Sequence, residues 1–252
     1  MIDETLRIST PSGQQVLGRI TGNEDSDQII VFSHGFGVKS DSRGMFNLLV
    51  DVIKEKHLTV RFHYVVVDDL TQETIASSYT EQAEKLQTVV ERVRQRFGNK
   101  EIVLIAHSQG CFISSMALVQ GLANVAWHVL LAPPPTENVS ERTKAKFKSR
   151  KGAILNEAGR SIYPRTDGSK TIILPSYWKD AENIHPLELY RDAFPLVHTT
   201  VIWGTQDTTI QQENFARIQE LHPSELYQLP NGHEFMEDKL KGVIDILSKK
   251  IL

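Results

Sequence analysis

The sequence predicts an α/β fold in which a mostly parallel sheet carries helices on both faces. Short apolar runs rich in branched residues recur along the chain, and helix-like segments lie between them. The order of strand, helix and strand favours parallel pairing with right-handed crossovers. The length of 252 residues suits one large core, and no repeat or linker indicates two independent domains.

The first strands and the helix after them have recognisable boundaries. The run QIIVFS, residues 28–33, is predicted as a buried strand that ends at the flexible loop HGFG. The run LTVRFHYVVV from Leu58 is a second strand whose end stays open. A helix follows, because Ser78 and Glu81 have capping-box spacing and apolar residues then recur on one face as far as Gly98.

The centre of the chain contains an interior strand. The run EIVLIA from Glu101 is so apolar that it suits only an interior strand covered on both faces, and Ser108 comes at its carboxyl end. A helix is predicted from Phe112 to about Leu122, and AWHVLLA from Ala126 is another buried strand. This sequence of elements is the β-α-β order of a parallel sheet.

The pattern breaks over residues 133–195, where a basic stretch, RTKAKFKSRK, is mixed with glycine, proline and aromatic residues. We interpret this segment as an insertion over the sheet. The predicted domains are therefore a core of residues 1–132 and 196–252 and a cap of residues 133–195. Beyond the cap, HTTVIWG restores a strand, ELYQLP is a short last strand, and Lys239 to Ile251 is an amphipathic closing helix.

Composition and charge exclude several classes of function. The formal net charge of -3 leaves no strongly basic face for nucleic acid. No run is apolar enough to cross a bilayer, and the polar start MIDETLRIST lacks the features of a secretory signal, so we expect a cytoplasmic location. The single cysteine, Cys111, excludes an internal disulfide and any multi-cysteine metal site.

A candidate nucleophile lies in the pentapeptide AHSQG, residues 106–110. The related pattern G-x-S-x-G places its serine on a strained strand-to-helix turn that tolerates only small residues two places on either side. Alanine at 106 adds one methyl group to that pattern. A serine hydroxyl also needs a base within hydrogen-bond reach and a third group that orients the base.

The partners of Ser108 are predicted from their positions after later strands. Asp207 directly follows TTVIW, and the carboxyl ends of parallel strands meet at one edge of a sheet, so Asp207 is the candidate acid. His233, in the loop LPNGHEF before the last helix, is the candidate base. Three other aspartates are rivals that do not directly follow a strand: Asp180, Asp192 and Asp238.

Two backbone amides are candidates for binding the negative oxygen of an acyl-transfer intermediate. The amide of Gln109 follows the nucleophile, and the amide of Phe36 lies in HGFG, where flanking glycines allow close approach. We interpret His34 and His107 as structural hydrogen-bonding groups rather than as bases.

Two features of the cap have more than one interpretation. The basic stretch from Arg142 to Lys151 is either a solvated helix face or a surface that attracts an anionic group of a substrate. The aromatic residues Tyr163, Tyr177 and Trp178 form the core of the cap or line a pocket. We expect at least one of them to line the pocket, because so small a cap has little interior of its own.

The ordered set HGFG, AHSQG, WGTQD and NGHEF, with the insertion after LLAPPP, resembles the α/β-hydrolase superfamily. Within it, the chain looks most like small bacterial serine esterases of the cinnamoyl or feruloyl type, from about Gln28 onward. The resemblance implies an eight-stranded sheet, a cap, and hydrolysis of carboxylic esters with no cofactor and no metal. It makes Ser108 the nucleophile, Asp207 the acid and His233 the base, and it places the amides of Phe36 and Gln109 at the oxyanion.

Tyr177 lies near the position where such esterases place a cap tyrosine that meets the phenolic end of the substrate. With Trp178 it is the candidate substrate-binding group. The chain also departs from the family pattern: Ala106 replaces a glycine, Cys111 stands where a second glycine is common, and residues 63–70, HYVVVDDL, lack a Gly-rich loop. We expect the first two departures to leave catalysis intact and the third to alter one wall of the pocket.

The sequence thus predicts a serine carboxylesterase for small aryl or short to medium acyl esters, with hydroxycinnamate esters among the candidates. A lipase or monoacylglycerol-type enzyme, or a thioesterase, would use the same triad. A receptor that keeps the hydrolase shape with little turnover is an alternative of another class. The expected partner is a small-molecule ester, with no nucleic acid and no membrane span, and a homodimer stays open.

Overall fold

The structure is a computed structural model that describes residues 1–235 and 240–251. The strands are β1 (Ile2–Ser9), β2 (Gln15–Gly22), β3 (Gln28–Ser33), β4 (Leu58–Phe62), β5 (Val66–Asp68), β6 (Glu73–Ala76), β7 (Glu101–His107), β8 (Val125–Leu131), β9 (Ser161–Pro164), β10 (Lys170–Ile173), β11 (His198–Gly204) and β12 (Glu225–Leu229). The helices are α1 (Met45–Ile53), α2 (Tyr79–Phe97), α3 (Gln109–Val119), α4 (Val139–Ser149), α5 (Pro175–Ala181), α6 (Pro186–Ala193), α7 (Phe215–Gln219) and α8 (Leu240–Ile251). Short 3₁₀ turns lie at Phe194–Leu196 and Gln212–Asn214.

The main sheet has eight strands in the order β1-β2-β4-β3-β7-β8-β11-β12. The strands from β4 to β12 in this order pair in parallel, whereas β2 pairs antiparallel with both β1 and β4. The predicted eight-stranded, mostly parallel α/β-hydrolase fold is therefore confirmed. The hairpin of β1 and β2 comes before the first strand that the sequence predicted.

The core surrounds the central strands, whose side chains are buried on both faces. The segments Ile29–Phe32 of β3 and Ile102–Ala106 of β7 are fully buried. Such continuous apolar runs suit interior parallel strands that helices cover on both sides. Their carboxyl ends bring the HGFG loop and Ser108 to the same edge of the sheet.

The helix α2 begins at the predicted capping box. The Ser78 hydroxyl accepts a hydrogen bond from the Glu81 amide at 3.2 Å, and the Glu81 carboxylate accepts one from the Ser78 amide at 3.0 Å. These two bonds satisfy amides that the first helical turn leaves unpaired. The helix ends at Phe97 before Gly98, whose φ is 88°, so the predicted boundaries are confirmed.

One boundary predicted from the sequence was wrong. The helix α3 begins at Gln109, three residues before Phe112, because Ser108 already occupies its N-cap position. The strand from Leu58, whose end the sequence left open, stays in the main sheet as far as Phe62. The chain then leaves that sheet and forms β5 and β6.

A second, four-stranded sheet joins the predicted cap to the core. Its order is β5-β6-β10-β9, in which β6 and β10 are parallel and the outer pairs are antiparallel. Residues 66–76 therefore share a sheet with the 133–195 insertion. The domain boundaries proposed from the sequence stay a prediction.

We find no helix in residues 1–235 and 240–251 that is both long and apolar enough to cross a membrane. The predicted closing helix is present as α8 from Leu240. Its proposed first residue, Lys239, lies outside the described residues.

Candidate active site

Ser108 occupies a strained turn between β7 and α3. Its φ of 52° and ψ of -120° lie in a region that residues other than glycine rarely adopt. Its amide donates to the Leu131 carbonyl at 2.9 Å, which ties the turn to β8. A Cβ added at Gly110 would clash with the Ser33 carbonyl oxygen, so this position requires glycine, whereas Ala106 is accommodated in the core.

The three side chains predicted as a triad meet at this edge of the sheet. The distance from Ser108 Oγ to His233 Nε2 is 3.0 Å, and the distance from His233 Nδ1 to Asp207 Oδ2 is 2.7 Å. The other carboxylate oxygen of Asp207 accepts the amides of Thr209 at 2.7 Å and Ile210 at 2.8 Å. Each of these side-chain atoms of Ser108, His233 and Asp207 thus pairs a hydrogen-bond donor with an acceptor.

The Asp207 carboxylate is ionised although its side chain is only 1% exposed. Burial alone would raise the pKa of Asp207, since the charged form loses its water. The hydrogen bond and the positive potential of His233, together with the amides of Ile210 and Thr209, outweigh burial and lower the pKa. An ionised Asp207 accepts the Nδ1 proton of His233, which leaves Nε2 free to accept the hydroxyl proton of Ser108.

The rival aspartates occupy other positions. Asp180 accepts hydrogen bonds from the amide and the hydroxyl of Thr80, at 2.7 Å and 3.1 Å, at the start of α2. Asp192 is exposed on α6. Asp238 lies outside the described residues. Among the residues that are described, no group of three or more His, Cys, Asp or Glu side chains could hold a metal ion.

His107 supports the base from below the turn. The His233 carbonyl can only accept, so His107 donates its Nε2 proton to it at 2.9 Å. The Nδ1 of His107 then accepts the Ser42 hydroxyl at 2.9 Å. Burial, followed by the potential of His233, lowers the pKa of His107 to about 3, so this imidazole is neutral and acts as a structural group.

His34 supports the HGFG loop in a similar way. Its Nε2 accepts the Tyr64 amide at 2.9 Å, and its Nδ1 donates to the Gly35 carbonyl at 2.9 Å. Burial lowers the pKa of His34 to about 3, which keeps it neutral. The Gly35 carbonyl and the Phe36 amide belong to one planar peptide unit, so His34 also fixes the direction of the Phe36 N–H.

The two amides predicted at the oxyanion are available beside Ser108. In the part of the chain that the structure describes, neither the Phe36 amide nor the Gln109 amide donates a hydrogen bond. The loop approaches closely, because a Cβ at Gly35 would lie 3.4 Å from the Cβ of Ser108. Arg165 of the cap donates to the Phe36 carbonyl at 2.7 Å and so connects this loop to the hairpin of β9 and β10.

A small cavity of about 30 Å³ lies beside Ser108. Larger clefts of about 450 and 570 Å³ elsewhere on the surface do not include Ser108. The cavity lining includes residues that the sequence did not single out, from the core and from the cap: Tyr79, Phe112, Pro134, Thr136, Val139 and Thr143. It also includes Arg142 and Lys146, whose separation of four residues places them on one helix face, a pattern visible in the sequence.

The two cap residues predicted to bind substrate lie deeper than this cavity. Tyr177 is completely buried, and its hydroxyl hydrogen-bonds to the Tyr79 hydroxyl and lies 3.4 Å from Thr143 Oγ1. The Trp178 indole donates to the Ser161 hydroxyl at 3.0 Å. The contact of Tyr177 with Tyr79 joins the cap to the core, whereas the other two contacts lie within the cap. A substrate contact by Tyr177 or Trp178 stays a prediction.

A profile of the alpha/beta hydrolase family matches residues 30–246. The chain belongs to the alpha/beta hydrolase family. The match spans the elements that carry Ser108, Asp207 and His233, from the strand before the HGFG loop to the closing helix. The match leaves out β1 and β2 and includes the edge of the sheet at which Ser108 lies.

Solved structures of other hydrolases superpose on nearly the whole chain. The esterase domain of a Rhodothermus marinus protein has a TM-score of 0.71 at 15% identity, with 99% of this chain and 97% of that chain covered. The alpha/beta hydrolase GrgF from Penicillium sp. sh18 has a TM-score of 0.71 at 15% identity, with 99% and 96% covered. Est1E from Butyrivibrio proteoclasticus has a TM-score of 0.69 at 15% identity, with 98% of each chain covered. At such identities the likeness shows the fold, and no curated protein matches the sequence.

Proposed function

We propose that this hydrolase is a serine carboxylesterase that acts on small esters. The main observation behind this proposal is a pair of hydrogen bonds, from Ser108 Oγ to His233 Nε2 at 3.0 Å and from His233 Nδ1 to Asp207 Oδ2 at 2.7 Å. This geometry makes an otherwise weak hydroxyl nucleophilic at neutral pH. The Rhodothermus marinus neighbour, which is named an esterase domain, supports the same reaction class.

Acylation begins when His233 Nε2 takes the hydroxyl proton of Ser108. The hydroxyl oxygen then forms a bond to the ester carbonyl carbon, and the carbonyl oxygen becomes negatively charged. The free amides of Phe36 and Gln109 donate to this oxygen, a type of contact worth roughly 10²–10³ in rate for each donor. Asp207 stabilises the imidazolium form of His233 during this step.

The intermediate collapses when the bond to the alcohol oxygen breaks. His233 gives its proton to the departing alcohol, and the acyl group remains on Ser108. A water molecule then gives a proton to His233 and attacks the acyl carbon. Release of the carboxylic acid returns the proton to Ser108, so the cycle needs only the ester and water.

The cavity volume supports short acyl groups over long chains. Pockets for drug-sized ligands usually measure about 300–1,000 Å³, whereas the space beside Ser108 is about 30 Å³. Acetyl to butyryl esters are therefore the first substrates to assay. A panel that extends to long acyl chains, thioesters and hydroxycinnamate esters separates the esterase from its alternatives, and a preference for long chains would favour a lipase.

The proposal is tested by hydrolysis of p-nitrophenyl acetate and butyrate. We expect Ser108→Ala to lower kcat by at least about 10³-fold, since removal of a triad nucleophile leaves only the contribution of binding and the oxyanion donors. Ser115→Ala is the matched control, because this serine lies in the same helix and donates to the Cys111 carbonyl at 2.9 Å. Equal rates for wild type and Ser108→Ala would remove Ser108 from the mechanism.

A fluorophosphonate probe gives a second readout that does not depend on the substrate. The expected result is one covalent adduct on the peptide that contains Ser108, absent from Ser108→Ala. Absence of both labelling and turnover, with tight retention of an intact ester, would instead favour the receptor alternative.

A further inference from the structure

The inner face of α4 presents two cations to the cavity beside the nucleophile. Arg142 and Lys146 are one helical turn apart, and both line the cavity that contains Ser108. Lys148 of the same helix is exposed to solvent. The basic stretch is therefore not uniformly solvated, because part of its charge faces the candidate active site.

Neither inward cation has a strong partner. Among residues 1–235 and 240–251, no hydrogen bond or ion pair involves the Lys146 ammonium group. In the same residues Arg142 donates a single long hydrogen bond, of 3.5 Å, to the Thr209 carbonyl. A third cation, Arg165, lies 5.2 Å from the ring centre of Phe36, and Lys146 Nζ lies 6.0 Å from the same point.

Among residues 1–235 and 240–251, the carboxylates whose potential acts most on Lys146 already have partners. They are Asp207, which pairs with His233 at 2.7 Å, and Glu234, which lies 3.4 Å from Arg43. Neither of these two carboxylates is free to pair with Lys146. Burial and the neighbouring guanidinium groups of Arg142 and Arg165 lower the pKa of Lys146 to about 7.

Arg142 and Lys146 are half-buried, so each has lost part of its hydration, which an anion that reaches them would replace. A carboxylate suits the pair well, because a guanidinium fork binds its two oxygens and an ammonium group adds a point charge. The two side chains lie beside the nucleophile, so the bound anion would be a few atoms from the reacting carbonyl.

We propose that the substrate is an ester that also carries a carboxylate, which Arg142 and Lys146 bind while Ser108 attacks the ester carbonyl. Two chemical classes meet this description: the half-ester of a short dicarboxylic acid, and an acylated hydroxy acid. The inference rests on the proposed function, and it assigns to α4 the recognition of charge. A merely solvated helix face would give no charge preference.

The test compares charged and neutral esters of matched size. Monoethyl succinate is compared with ethyl butyrate for an anion on the acyl side, and 4-acetoxybenzoate with its methyl ester for an anion on the alcohol side. The measured quantity is the ratio of kcat/KM for the charged member to that for the neutral member. In wild type we expect a ratio of at least about ten in one of the two pairs, since a hydrogen bond to a charged group is worth about 10- to 100-fold.

Substitutions on α4 locate the effect. Lys146→Met and Arg142→Met should each lower the ratio by about 10- to 100-fold, whereas Lys146→Arg should retain it. Lys148→Met is the matched control from the exposed face and should match wild type. A wild-type ratio of one or less in both pairs, or equal effects of Lys146→Met and Lys148→Met, would overturn the inference while leaving the esterase intact.

A binding measurement separates this inference from the proposed function. If no ester is hydrolysed, the esterase fails, but thermal stabilisation of Ser108→Ala by monoethyl succinate still reports on the anion site. We expect stabilisation by this compound that exceeds that by ethyl butyrate and that disappears when Lys146→Met is added. The same comparison is made between 4-acetoxybenzoate and its methyl ester, and equal stabilisation by the charged and the neutral member in both pairs would overturn the inference.

Discussion

The core side and the cap side of the cavity differ in how strongly hydrogen bonds hold their side chains. On the core side, Ser108, His233 and Asp207 are linked by hydrogen bonds of 3.0 Å and 2.7 Å, and the neutral His107 holds the backbone of the base. On the cap side, the charges of α4 face the same space without a comparable set of bonds. Under the proposed function, the core would fix the groups that react, and the cap would select what reaches them.

The largest expected effect tests the core side. Asp207→Asn should lower kcat for p-nitrophenyl butyrate by about 10³- to 10⁴-fold, because an amide does not hold the imidazole in the required tautomer. Asp192→Asn, on the exposed face of α6, is the control and should be indistinguishable from wild type. A loss below about tenfold would mean that Asp207 does not orient the base.

A smaller effect tests how the core holds its base. His107→Gln and His128→Gln both replace a buried histidine whose pKa burial lowers to about 3. Both should lower the free energy of unfolding in urea by about 1–3 kcal/mol. Only His107→Gln should also lower kcat, by about tenfold with KM little changed, because it removes the hydrogen bond to the His233 carbonyl.

His128 is a suitable control because it lies away from the triad, 2.7 Å from the Ser114 hydroxyl. Equal kcat values for the two variants would show that His107 serves stability alone. A change in KM without a change in kcat would place His107 in substrate binding and contradict its positioning role.

The smallest effect tests the boundary between the two sides. Tyr177→Phe removes a hydroxyl that hydrogen-bonds to Tyr79 and lies near Thr143, so it should cost about 1 kcal/mol of unfolding free energy. Phenolic and alkyl esters should lose kcat/KM equally, by roughly threefold or less. A loss confined to phenolic esters would instead support the substrate contact predicted from the sequence. Tyr190→Phe, another buried tyrosine of the cap, is the control.

Local chemistry explains what the sequence predicted. The run at 28–33 coincides with β3, and the capping box at Ser78 sets the start of α2. Ser108, Asp207 and His233 were placed together because parallel strands end at a common edge. In each case the signal lies within a few neighbouring residues or follows from a rule of sheet topology.

The missed features depend on partners that are distant in the sequence. The pairing of β6 with β10 joins segments that α2, β7, α3, β8, α4 and β9 separate along the chain, and strands of four residues carry little signal of their own. The inward direction of Arg142 was left open because cations usually mark the solvated face of a helix. Only the folded arrangement of cap on core shows which face of α4 meets Ser108.

The ladder between Glu73–Ala76 and Lys170–Ile173 bears on how a substrate would enter. Main-chain hydrogen bonds fasten this half of the cap to the segment that leads into α2, while α4 lies outside both sheets. Under the proposed function, an ester that exceeds the space beside Ser108 would enter through displacement of α4 or rotation of its side chains. The cap would open at α4 rather than move as a whole. Arg142 and Lys146, which move with α4, would then be the residues that bind the carboxylate of the entering substrate.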